Sequence, residues 1–169
     1  MQKLLALAHN IDRVNAAIGR AAAWCVLFMV AAQFLVVLLR YVFGIGSVWL
    51  QESVFYAHAG LILLTAAWTL WVGGHVRVDV FYGGMSERAK ARVDLLGALI
   101  LLLPFMAALL FFAAPYVARS WAIFERSREV GGIPLVWILK TLIPLFALLL
   151  GLQGIAQAIR AWRVLAIAQ

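Results

Sequence analysis

The chain has 169 residues, of which 66% are hydrophobic and 12% charged. A soluble domain is roughly 45–50% apolar and about 25% charged, so a water-soluble enzyme and a disordered chain are both excluded, and a bilayer is the expected solvent. The net charge of +7 is carried mostly between apolar stretches, the pattern of loops at a membrane surface, and nucleic acid is not an expected partner. The single cysteine, Cys25, leaves no internal disulfide or cysteine metal cluster, and its apolar setting marks it as a small packed hydrophobe.

Residues 1–20 come first. Leu4, Leu7, Ile11, Val14 and Ile18 recur at helical spacing, with Asn10, Asp12, Arg13 and Arg20 opposite. The stripe predicts an amphipathic helix lying in the membrane interface, against lipid, before the chain turns into the bilayer. A partner-binding helix is the other reading. The apolar patch at 4–8 is too short for the core of a signal peptide.

Four spans follow, at about 21–39, 53–72, 95–118 and 133–154. Each is near the ~20 continuous apolar residues that a transmembrane helix needs, and none alternates as a barrel strand would. The fold class is therefore an all-α integral membrane protein with four transmembrane helices, a single four-helix domain. Arg40 closes the first span and Glu52 opens the second across a short connection, a spacing that allows an ion pair. His58 lies six residues on, about 240° around the helix from Glu52, so the two share no face and make no acid–base pair. A hydrogen bond to a neighbouring helix is the expected role of His58.

The second connection, 73–94, alternates at His75-Val76-Arg77-Val78-Asp79-Val80 like a strand, yet a lone strand has nothing to pair with. Ser86 and Glu87 read as a helix start, so the third span begins before the membrane, with Lys90 and Asp94 placed to pair at i,i+4. Lys140 sits about 10 Å inside the fourth span. A buried cation there requires a partner, and Pro144 withdraws the donor from the Lys140 carbonyl, which predicts a bend. A structural pair with another helix or subunit is favoured over an ion or substrate ligand.

Nine Lys and Arg flank the spans on the side of the termini and four on the other, which places both termini in the cytoplasm. The tryptophans gather near span ends, as an interfacial belt would. The chain carries no phosphate loop and no nucleophile–base–acid set, and only His58 of its three histidines lies in a span, against two haem ligands within one chain. No catalytic, cofactor or metal residue is expected. Four spans without a visible repeat make a poor complete transporter.

The stretches Leu39-Arg40-Tyr41-Val42-Phe43-Gly44, Trp49-Leu50-Gln51-Glu52 and Gly74-His75-Val76-Arg77-Val78-Asp79 resemble the small, Q-type membrane subunit of tripartite ATP-independent periplasmic (TRAP) transporters. So do Gly132-Ile133-Pro134-Leu135-Val136-Trp137 with Lys140, Leu142-Ile143-Pro144 and Leu152-Gln153-Gly154. The likeness runs in order over about residues 20–160. It implies a scaffold in a bacterial or archaeal inner membrane, partnered by a large multi-span permease subunit and an extracytoplasmic substrate-binding protein. Import of organic acids would be driven by sodium, with the sodium sites in the large, elevator-type subunit. On this resemblance Arg40 and Glu52 order the outer rim, and Lys140 beside Pro144 locks the helices or meets the large subunit. His75, Arg77 and Asp79 fix the cytoplasmic connection, while Arg126, Arg128 and Glu129 touch the binding protein. Two other classes stand beside this one: a membrane anchor of a respiratory oxidoreductase, and a small self-assembling exporter.

Overall fold

A computed structural model describes residues 1–76 and 79–167, apart from the side chain of Asp79. The described residues form helices and no strand: α1 (Gln2–Val42), α2 (Val48–Trp71), the single turn α3 (Asp79–Tyr82), α4 (Glu87–Leu96), α5 (Leu103–Ala122) and α6 (Val136–Ile167). A π-helical turn, Gly97–Leu102, joins α4 to α5. Four helices are long and apolar enough to cross a membrane: Gln2–Val42, Val48–Trp71, Glu87–Ala122 and Val136–Ile167.

The helix ends follow local chemistry. Ser47 accepts from the Leu50 N–H at the start of α2, and Ser86 accepts from the Ala89 N–H at the start of α4, the helix start that Ser86 and Glu87 predict. α1 stops where Gly44 turns to φ +69° and the Ile45 N–H reaches back to the Leu39 carbonyl. The π turn has a cause in Pro104: without its N–H the regular ladder is broken, and the Leu103 N–H bonds to Ala98 five residues back.

α6 is the central helix. It packs against α1, α2, α4 and α5, and 44% of its most apolar stretch is buried within the chain, against 11% in each of the other three. One core cluster joins Ala67, Met106, Ala147, Leu149 and Leu150, and a second joins Ala8, Ile11 and Ala156. Alanine dominates the buried apolar positions. In lipid there is little hydrophobic force between helices, so close backbone approach supplies the contact, and small residues permit it. Gly19 and Gly154 mark the tightest approaches: a Cβ on Gly19 would lie 2.6 Å from Trp68 Cβ, and one on Gly154 2.7 Å from Leu102 Cδ2.

The amino-terminal segment departs from expectation. No turn separates 1–20 from the first span; both belong to the one 41-residue helix. At about 1.5 Å per residue α1 is about 60 Å long, twice a ~30 Å hydrocarbon core. Leu4, Leu7 and Val14 are exposed, as a lipid-facing stripe would be, but Ile11 is buried. Asp12, assigned to the solvated face, is buried too, because α6 extends alongside and supplies a cation for it.

Candidate functional site

The polar residues that the helices draw inward form two clusters, one at each end of the bundle. At the end opposite the termini, α5 runs into the connection 123–135, which folds back over α2 and α6. Phe124 takes φ +45° and Gly131 φ +80°, and the Ser127 N–H bonds to the Ile133 carbonyl, closing the connection on itself. Lys140 Nζ lies 2.5 Å from Glu125 Oε2 and 4.1 Å from the centre of the Tyr116 ring. The partner that Lys140 requires is thus inside the chain, fifteen residues upstream. The Lys140 ammonium holds the Glu125 carboxyl below the usual glutamate range, chiefly through this hydrogen bond. Above the pair, Trp121 Nε1 donates to Thr141 Oγ1 at 2.8 Å, and the Trp121 and Trp137 rings meet edge to face, 4.4 Å apart.

Glu52 is the second anchor of this connection. Its Oε1 accepts the Ser127 hydroxyl, and its Oε2 accepts the Ile133 N–H at 2.6 Å. A Cβ on Gly132 would fall 2.8 Å from Glu52 Oε1 and 2.6 Å from Ser127 Cβ, so the clasp closes only over a bare backbone. Glu52 therefore does not pair with Arg40. Arg40 is exposed and lines a small groove with Ile45, Ser47 and Gln51. Glu52, about 100° around α2 from Gln51, turns toward the connection instead. Arg126, Arg128 and Glu129 are exposed on the outer surface of the connection.

At the end that carries the termini, Arg160 Nη1 makes two contacts to Asp12, at 3.1 and 2.8 Å. Gln153 Nε2 donates to Asp12 Oδ1 at 2.9 Å, and Asn15 Nδ2 donates to Gln153 Oε1 at 2.7 Å. Asn15 and Gln153 are 1% and 0% exposed, so the inner part of this chain of bonds pins α1 to α6 out of contact with solvent, while Arg160 closes it at the surface. Sequence reasoning missed it. Asp12 reads as a surface charge, and only its separation of 148 residues from Arg160 conceals that both belong to one seam.

The expected Lys90–Asp94 pair is absent. Lys90 meets Glu87 at 3.2 Å, and Asp94 accepts from the Tyr82 hydroxyl at 2.9 Å. A pocket of about 270 Å³ lies among Tyr82, Lys90, Asp94 and Arg160. His75 is exposed, Arg77 lies outside the described residues, and Asp79 opens α3. His58 is exposed on α2 and makes no hydrogen bond to another helix among the described residues, contrary to expectation. α6 continues as helix through Pro144. Among the described residues no group of three or more His, Cys, Asp or Glu is arranged to hold a metal ion.

The geometry is that of braced helices, with Lys140 and Asp12 each matched by an opposite charge within the chain and Glu52 held by hydrogen bonds. The family model described as "Tripartite ATP-independent periplasmic transporters, DctQ component" matches residues 29–164, well over half of the chain. The chain belongs to the DctQ family. A DctQ protein is a transporter component and not an enzyme, which removes the respiratory anchor from consideration. The four apolar helices accord with a multi-pass membrane subunit. Both the Glu52 clasp and the Lys140–Glu125 pair fall inside the span matched to DctQ, whereas Asp12 and Asn15 precede it. No curated protein and no solved structure matches the chain.

Proposed function

We propose that this DctQ-family chain is the static scaffold of a sodium-driven importer of organic acids. It supports a large elevator-type subunit that holds the substrate and the sodium ions, and it carries no cofactor of its own. The observation that carries this reading is the internal satisfaction of the inward charges. Lys140 is matched by Glu125, and Asp12 by Arg160. An intramembrane charge in a transport pathway is left available to its cargo or proton, whereas a charge closed on a partner in its own chain braces the fold.

In the same reading both termini face the cytoplasm, following the nine-to-four excess of Lys and Arg on that side. The connection 123–135 then faces the extracytoplasmic binding protein. Arg126, Arg128 and Glu129, exposed on a connection that Glu52 and Lys140 hold still, are its contacts, and Arg40 adds a charge to the same rim. The connection that begins at His75 lies toward the lipid headgroups of the opposite leaflet.

Reconstitution tests the proposal. Proteoliposomes holding the large subunit together with this chain, supplied with the binding protein and an inward sodium gradient, take up substrate. Uptake fails when the gradient, the binding protein or this chain is withheld. Uptake by this chain alone, or undiminished uptake without it, contradicts the scaffold.

A further inference from the structure

Two polar side chains point out of the bundle within the first two apolar spans. Gln33 lies nine residues before the end of α1, and His58 ten residues after the start of α2. At 1.5 Å per residue both lie about 14–15 Å along the helix from the same end of the hairpin, inside the apolar stretches 21–39 and 53–72. Both are exposed, and neither has a hydrogen-bond partner among the described residues. They also share a face. Gln33 and Val54 line one groove of about 460 Å³ between α1 and α2, and His58 follows Val54 by one turn, about 40° around the helix.

The surface of α5 is different. From Leu103 to Pro115 its exposed residues are Pro104, Phe105, Ala107, Ala108, Phe111, Phe112, Ala114 and Pro115, with no polar side chain. Acyl chains accept such a surface, but they offer nothing to an amide or an imidazole. A neutral imidazole donates one hydrogen bond and accepts another, and a glutamine amide does both as well. Thr65 and Thr69 of α2 bond to carbonyls of their own helix, an escape too short for Gln33 and His58 to share without leaving the outward face.

We infer that the α1–α2 face bearing Gln33 and His58 is the surface on which a transmembrane helix of the large permease subunit docks, presenting hydrogen-bonding side chains at the level of these two groups. The inference rests on the scaffold reading above. The choice of occupant follows from polar complementarity. Lipid cannot satisfy the two groups, and a polar partner helix can. The α5 face is left to lipid.

The test uses the whole complex, with this chain co-expressed with the large subunit. p-Benzoylphenylalanine is placed singly at the exposed Phe34 and Phe55, next to the two polar groups, and at the exposed Phe105 and Phe112 of α5. Irradiation is expected to join the first two positions to the large subunit and the last two to lipid. Adducts to the large subunit from α5 alone, equal adducts from all four sites, or adducts at Phe34 and Phe55 only to lipid or to a second copy overturn the inference. A second measurement is independent of the label. Gln33→Leu and His58→Leu leave the bonds within the chain intact, and each is expected to reduce retention of the large subunit about 3-fold, the loss of one average interhelical hydrogen bond in a membrane; unchanged retention of the double variant overturns the inference. If the unsubstituted chain retains no large subunit, the scaffold reading falls together with this one. If it does and only the adduct pattern is wrong, the docking face alone falls.

Discussion

Lys140 and Glu125 form one of the two anchors of the loop end of the molecule, and the pH dependence of this contact has a definite sign. The Glu125 carboxyl is held below its ordinary value of about 4.3 in the fold. The folded chain thus favours the carboxylate more than the unfolded chain does. The stabilisation is full above the ordinary glutamate value and is lost as the pH falls through the lowered, folded one. The Tm in detergent should be flat from pH 7 to about 5 and drop on further acidification, and Lys140→Leu should abolish the part of that drop due to Glu125. A Lys140→Leu variant with the native Tm and native acid limb would contradict the pairing. At the other end Gln153 is wholly buried between Asp12 and Asn15. Gln153→Leu removes two buried hydrogen bonds, to Asn15 and to Asp12, at a cost of about 1–3 kcal/mol, read as a lower Tm. Lys140 was legible from sequence as a buried cation in need of a partner. Its mate was not, because Glu125 sits in a polar connection where an acidic residue looks solvated. Asp12 shows the same limit: helical periodicity assigns a residue to a face but does not say whether another helix lies against that face.

At the scale of elements, apolar run length made the four crossing helices readable, and so did the Ser86 start of α4. The continuity of α1 was not readable in this way. The end of the polar pattern at Arg20 set the expected boundary between an interfacial helix and a span, yet the helix runs through it, and Gly19 is bare because Trp68 closes on it. Gly19→Val should force α1 and α2 apart, and Gly154→Val should do the same to α6 and the π turn. Each ought to lower the Tm more than Gly60→Ala, since a Cβ at Gly60 meets nothing within 4 Å. Equal effects at the three sites would refute the close approaches. The clasp of Glu52 over Gly132 gives a further check: Gly132→Val should free the 123–135 connection and raise its hydrogen exchange, while Arg126→Ala, on its exposed side, should not.

At the scale of the molecule, composition excluded a soluble enzyme, and the motif order pointed to the family that the family match then established. On the scaffold reading proposed above, a chain with 12% charged residues, one central helix and the pairs Lys140–Glu125 and Asp12–Arg160 closed within it supports another protein rather than handling cargo. The most direct test is to capture this chain from its native membranes in mild detergent and identify what comes with it by mass spectrometry. The scaffold account predicts a stoichiometric polytopic protein of about a dozen spans. Recovery of the chain alone, or with a flavin or iron–sulfur subunit in place of that protein, would contradict it.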